Sequence, residues 1–215
     1  MFALPFKFAI RNSQFEISST PYASLLYNPP MHIFDPQHAA RLDSPERHKW
    51  LPPHKIIEIV GARDGDTIVD FGCGTCFLTM PLAKAFPNST VYGVDISDEM
   101  LRMCAEKNPP RNLKLIKFEG SASLPAGVAD HVVTVNTMHE LAGDKSAIKT
   151  LADVSKTGAT LTIVDWKKEP MEMGPPVEER LAEDEVAAVL ADDFSVTLVD
   201  AEAFVHNYVI KLVRK

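Results

Sequence analysis

The sequence predicts an α/β fold, an open and largely parallel sheet with helices on both faces. Three observations carry that expectation. Short apolar runs rich in Val, Ile and Thr alternate with helical stretches along most of the 215 residues, a rhythm that gives parallel strands joined by crossover helices. The first strong run leads into the glycine-rich stretch "VDFGCGTCFLT", residues 69–79. The last two runs are separated by Glu202 and Ala203 alone, which leaves no room for a parallel crossover and demands a hairpin.

Residues 1–30 show no period and are punctuated by Pro21, Pro29 and Pro30, so an irregular N-terminal extension is expected there. Residues 31–215 are expected to form one domain, opened by a helical pre-segment (31–61) that covers the site. Within it "KWLPPHKIIEIVG" (49–61) reads as a helix started by Pro52-Pro53, with Ile56, Ile57 and Val60 toward the core. Strands are expected at 66–72, 89–96, 112–120, 130–137 and 159–166. Ser97 can cap a helix over "DEMLRMCAEKN", where Asp98 and Glu99 suit the positive end of the helix dipole. Asp144 can cap "KSAIKTLADVSK", with Gly158 after its end. A helix near 177–191 precedes strands at 194–201 and 204–215. The final strand is mostly apolar on both faces, as expected of a strand covered by helices on either side.

Composition narrows the function. A hydrophobic content of 46% with 24% charged residues is that of a globular protein, and no apolar run approaches a membrane span. A net charge of −7 disfavours nucleic acid as a partner. Three cysteines are an odd number and do not make a disulfide framework; a reducing cytoplasm fits them better.

The stretch at 69–79 has two incompatible readings. Cys73 and Cys76 form a C-x-x-C pair, the spacing of thiol redox centres and zinc half-sites. Asp70, Gly72 and Gly74 form a nucleotide loop whose third glycine has become Cys76. The next strand ends in Asp95, placed to accept hydrogen bonds from both ribose hydroxyls, and a redox pair has no use for that acid. No second cysteine or histidine pair completes a zinc site, and no metal-binding spacing emerges elsewhere. A dinucleotide fingerprint would put its last glycine at Phe77, where the ring obstructs close helix–strand packing. Asp70 would also repel a pyrophosphate but suits a ligand carrying an ammonium and a sulfonium. S-adenosylmethionine is such a ligand.

With these residues in place the chain resembles the class I S-adenosylmethionine-dependent methyltransferases, over about residues 31–215. "VDFGCGTCFLTMPLAKAFP" is similar to their first motif, "VYGVDIS" to the second, "FEGSASLP" to the adenine-contacting loop and "GATLTIVDW" to the fifth strand. The resemblance implies a Rossmann-like seven-stranded sheet of order 3-2-1-4-5-7-6 with strand 7 antiparallel. It implies that Asp70 orients the methionyl part, that the backbone of Gly72, Cys73 and Gly74 wraps the cofactor, and that Asp95 holds the ribose. Ile96 would lie against adenine, Ser121 or Ala122 would meet its edge, and Asn136 would line the methionine pocket. Cys76 departs from the usual glycine, and Ser121 stands where an aspartate often accepts from the adenine amine. The likeness is broadest to the group that includes quinone C-methyltransferases, although "NTMHEL" (136–141) differs from the quinone enzymes.

The expected acceptor is a small molecule. "NPPM" (28–31) is similar to a motif of amino-group DNA methyltransferases, but Met31 offers no stacking platform for a flipped base. Methyl transfer is an in-line displacement, so an enzyme mainly aligns groups and excludes water, adding a base when the nucleophile arrives protonated. His139 is the candidate base, with helix-start packing as its alternative role. Glu140, Trp166, Met171 and Met173 are candidate acceptor-pocket residues, the methionines on a lid-like loop at 169–180. Two rivals stand beside this reading: a non-catalytic binding protein of the same fold, and a nucleotide-dependent oxidoreductase.

Overall fold

The computed structural model describes Ala39 and residues 41–120 and 124–215. The expected extension at 1–30 and the adenine-edge candidates Ser121 and Ala122 lie outside the described residues. Seven strands form one sheet: β1 (Thr67–Phe71), β2 (Thr90–Asp95), β3 (Leu113–Lys117), β4 (Ala129–Val135), β5 (Ser155–Trp166), β6 (Phe194–Asp200) and β7 (Asn207–Arg214). Their order is β3-β2-β1-β4-β5-β7-β6. β1 to β5 pair in parallel, whereas β7 runs antiparallel to both β5 and β6, as the short 200–207 connection requires. The order reverses between β1 and β4, so their carboxyl ends open a crevice, the place where open α/β sheets bind ligands.

Seven α-helices accompany the strands among the described residues: α1 (Pro45–Trp50), α2 (Pro53–Val60), α3 (Thr79–Ala85), α4 (Asp98–Glu106), α5 (Met138–Leu141), α6 (Lys145–Val154) and α7 (Glu183–Val189). Alternation along the strands feeds two cores. Ile68, Val133, Val164 and Val209 pack with Ile56, Val60 and Leu82 of α2 and α3. Their chain neighbours Val69, Val132, Ile163 and Ile210 point to the opposite face and pack with Met138, Leu151 and Val186 of α5, α6 and α7. None of these helices is long and apolar enough to cross a membrane.

The caps follow the sequence. The Ser97 hydroxyl accepts from the Met100 amide, and the Asp144 carboxylate accepts from the Ser146 and Ala147 amides. Gly61 ends α2 in a left-handed turn (φ 71°), and the Lys211 ammonium donates to the carbonyls of Ile59 and Val60 in its last turn.

Two elements differ from expectation. β5 begins directly at Ser155, so Gly158 lies inside the strand, near the register shift between Ala129 and His131, and does not follow a helix end. The helix expected over 177–191 is broken: a 3₁₀ turn (Val177–Glu179) precedes α7, and Arg180 between them is extended (φ −82°, ψ 151°). The cause is its side chain. Arg180 is buried and donates to the carbonyls of Pro175, Lys167, Glu169 and Met173, which a continuous helix would not permit.

Candidate cofactor and acceptor site

The glycine loop and the second strand are bound together at the crevice. The amides of Gly72 and Cys73 both donate to the Val94 carbonyl, at 2.7 and 3.0 Å. Gly74 donates to Asp95 Oδ2 at 2.7 Å, while Asp95 Oδ1 accepts from the Ser97 amide at 2.9 Å. Gly72 and Gly74 have φ of 80° and 51°, values that a side chain resists. Gly72 is further constrained, because a Cβ there would lie 2.3 Å from Thr137 Cγ2. The loop is therefore bare backbone wedged between β1, β2 and the start of α5.

Asp70 is the next-to-last residue of β1 and is buried, accepting from the Thr79 hydroxyl at 2.6 Å. Burial pushes its carboxyl up to about 7; the Thr79 bond opposes this, Asp95 adds to it, and Arg47 counters it. Asp95 is raised as well, again chiefly by burial, against the amide bonds it accepts. Arg47 of α1 is held down to about 10 by burial, against Asp43 and Asp70, and its guanidinium lies 4.1 Å from the Phe77 ring centre. Leu42 approaches Gly74, and His48 lies against Phe77. The pre-segment thus packs over the loop, through residues such as Arg47 that no local motif marks.

These groups fit S-adenosylmethionine. A buried carboxylate raised by desolvation is relieved by a nearby cation, and that ligand carries two positive groups. Its ribose matches Asp95, its carboxylate matches Arg47, and a bare glycine turn matches its close approach. If Asp70 pairs with that cation, binding needs its ionised form, so affinity for S-adenosylmethionine should rise as pH climbs toward about 7, and Asp70→Asn should flatten that rise. Calorimetric titration of both proteins across this range checks it; equal pH dependence in the two would remove Asp70 from the site.

A second cluster lies across the crevice at the carboxyl ends of β4 and β5. Asn136 is left-handed (φ 57°), its amide donates to the Val164 carbonyl, and its side chain accepts from Asn207 at 2.6 Å. The His139 side chain of α5 is 8% exposed, with Nδ1 2.9 Å from Asp165 Oδ1 and the residue's own amide donating to Asp165 Oδ2 at 2.9 Å. Burial disfavours the charged ring, yet the Asp165 carboxylate, aided by Glu140 and Glu179, raises the imidazole above its ordinary value. Glu140 is pushed up to about 7, by burial first and then by Asp165, Asp95 and Glu179, with His139 opposing. The second ring nitrogen, Nε2, lies 4.0 Å from Glu140.

Trp166 packs against Trp50, with ring centres 5.4 Å apart, and Gly174 lies against its indole. Met173 is exposed and Met171 half-buried on the loop that Arg180 ties down. Asp165 and Thr137 were the partners the sequence left unassigned. A carboxylate at the end of the fifth strand, level with His139, was the legible signal for the first; the second had none.

The three cysteines correct an expectation. Cys76 is joined to Cys104 of α4, and Cys73 is free and buried. An odd count excludes neither one bond nor an oxidising history, so it says nothing about compartment. The C-x-x-C spacing is incidental, since the partner of Cys76 comes from α4.

Residues 68–158 match the family profile of a methyltransferase domain. A crystal structure of a SAM dependent methyltransferase from Aquifex aeolicus is similar at 31% identity and a TM-score of 0.80, covering 85% of this chain and 100% of that one. The chain belongs to the class I S-adenosylmethionine-dependent methyltransferases. Among the curated relatives of the chain, trans-aconitate 2-methyltransferase of Paracidovorax citrulli (strain AAC00-1) is 28% identical over 142 residues, 65% of this chain and 54% of that protein. The ribosomal RNA small subunit methyltransferase A of Laribacter hongkongensis (strain HLHK9) is 41% identical over 69 residues, 32% of this chain and 25% of that protein. The chain therefore spans about half the length of the first relative and a quarter of the second.

Proposed function

We propose that the chain transfers a methyl group from S-adenosylmethionine to a small-molecule acceptor and that His139 takes the acceptor's proton. The observation that carries the second part is the His139–Asp165 pair. An Asp165 carboxylate on Nδ1 fixes that nitrogen as the donor, leaving Nε2 of the neutral ring as the base. The cofactor supplies a methyl group already activated by positive sulfur. Asp70, Asp95, Arg47 and the Gly72–Gly74 backbone hold and orient it, while Trp50 and Trp166 form an apolar wall that keeps water from the reacting groups. Glu140 and Trp166 face the acceptor, and the 169–180 loop with Met171 and Met173 covers it. The net charge of −7 favours a small acceptor over RNA, and the name of the trans-aconitate relative points the same way.

Radiolabelled methyl transfer against a panel of organic acids, phenols, amines and thiols, with a structured RNA as comparator, tests the proposal. Transfer to a small molecule supports it; transfer to RNA alone overturns it; tight cofactor binding without any transfer makes the chain a binding module. Asp95→Ala should weaken binding of S-adenosylhomocysteine about ten- to hundredfold, the equivalent of roughly 1.5–3 kcal/mol for bonds to a charged group. Unchanged affinity in calorimetry would take Asp95 out of the ribose site.

A further inference from the structure

We infer that the Cys76–Cys104 disulfide is a positioning device for the cofactor loop, doing by a covalent bond what a glycine at position 76 would do by its freedom, so that cofactor affinity follows the thiol state of this pair. The inference rests on the assignment of this loop to the cofactor. Among the described residues three non-glycines have left-handed backbone: Cys76 (φ 66°), Asn108 (φ 53°) and Asn136 (φ 57°). Asparagine tolerates that region through its short polar side chain. Cysteine has no such means, and Cys76 is the one of the three that is covalently tied.

The turn it makes matters to the site. Cys76 donates its amide to the Cys73 carbonyl at 2.8 Å, and its own carbonyl accepts from Met80 at the start of α3. The turn at 73–76 thereby aims the Gly74 amide at Asp95 and leads the chain into α3. Cys104 lies on α4, the helix that begins just after Asp95, and its Cα is 5.4 Å from that of Cys76 across a separation of 28 residues. The bond therefore joins the loop after β1 to the helix after β2, the two elements that follow the strands carrying Asp70 and Asp95 on one side of the cofactor crevice. The Lys107 ammonium adds a polar tie beside it, donating to the Thr75 carbonyl and to Asp43, each at 2.6 Å.

The third thiol does not compete. Cys73 lies in the same cluster as the bonded pair but is buried, and burial, with Asp95 and Asp70 nearby, pushes its thiol well above the ordinary value, so it stays protonated and a poor nucleophile. Closing the bond removes two protons and two electrons from the Cys76 and Cys104 thiols; a low-molecular-weight disulfide such as oxidised glutathione accepts them and leaves as two thiols. Opening reverses this, with dithiothreitol becoming its ring disulfide. Both sulfurs are buried, so exchange passes through local opening of the loop, and a ligand that holds the loop shut should slow it. Coupling is reciprocal: whatever factor the bond adds to cofactor affinity, the cofactor adds to the stability of the bond.

The test is calorimetric titration of the full chain with S-adenosylhomocysteine, after treatment with oxidised glutathione or with dithiothreitol. Thiol counting in denaturant should give one thiol in the first state and all three in the second. We expect the reduced chain and Cys104→Ser to bind about tenfold more weakly than the oxidised chain, roughly 1.4 kcal/mol. Cys76→Gly lacks the bond but regains left-handed freedom. It should bind several-fold more tightly than Cys104→Ser and ignore dithiothreitol. That rescue separates positioning from general stabilisation, which Cys76→Gly would also lose. Chemical reduction of the unaltered chain keeps the test available should Cys104→Ser not fold. Equal affinity in both thiol states, three free thiols after oxidation, or a Cys76→Gly variant as weak as Cys104→Ser would each overturn the inference. Absence of binding by the oxidised chain would overturn the cofactor assignment and this inference with it.

Discussion

His139→Ala should lower the rate of methyl transfer by about 10²- to 10⁴-fold while leaving cofactor affinity near that of the parent, because removing a positioned base costs that much and His139 stands across the crevice from Asp70 and Asp95. The pH profile carries the sharper signature. A base must be neutral to act, and the Asp165 carboxylate, with Glu140 and Glu179, holds the imidazole above 6.5 in spite of burial. The rate should therefore rise with pH through a midpoint above 6.5. Asp165→Asn removes the charge that raises the ring, so the midpoint should fall, together with the rate, because the donor on Nδ1 is no longer fixed. Stability moves the opposite way. A raised histidine stabilises the fold fully below its unfolded value of 6.5, and that contribution is lost as pH climbs through the folded value. Titration of the His139 ring by NMR in the parent and in Asp165→Asn reads the shift without any acceptor. A His139→Ala enzyme with undiminished turnover would leave the residue a structural one.

How much of this was legible in the sequence differs by the kind of interaction. The seven strands were, because each carries its own apolar run, and the hairpin was, because the gap between the last two runs is too short for a parallel crossover. The capping of α4 by Ser97 and of α6 by Asp144 is equally local. Glycines at 72 and 74 and acids at 70 and 95 stand at strand ends, so their convergence follows from the topology. What did not show were pairings between distant segments. Nothing near Arg47 announces that it faces Asp70, and nothing in the spacing of Cys76 points to Cys104. The failure at 177–191 has the same origin: the acidic, apolar-periodic run reads as helix, and only the four carbonyls waiting for Arg180 break it. Tertiary partners decided these points, and sequence reasoning sees such partners only when a motif names them.

Gly72→Ala should be the most damaging small substitution in the cofactor loop. The new methyl would sit 2.3 Å from Thr137 Cγ2, 2.6 Å from its hydroxyl oxygen and 2.8 Å from its Cβ. The last of these is fixed to the backbone, so no rotation of Thr137 clears it. The φ of 80° adds a conformational cost that any Cβ incurs. Together these effects amount to roughly 2–5 kcal/mol, which for a chain of this size lowers the melting temperature by roughly 5–15 °C. Moving the loop also breaks the 2.7 Å bond from the Gly72 amide to Val94, and with it the register that brings Gly74 to Asp95. Cofactor affinity should therefore fall along with stability. Adding Thr137→Ala divides the two causes, since it removes Cγ2 and the hydroxyl but leaves φ untouched. The double variant should recover part of the melting temperature and less of the affinity, a positive coupling that a thermodynamic cycle measures. If Gly72→Ala instead melted and bound S-adenosylhomocysteine like the parent, the loop would not hold the left-handed turn against Thr137 on which the whole cradle depends.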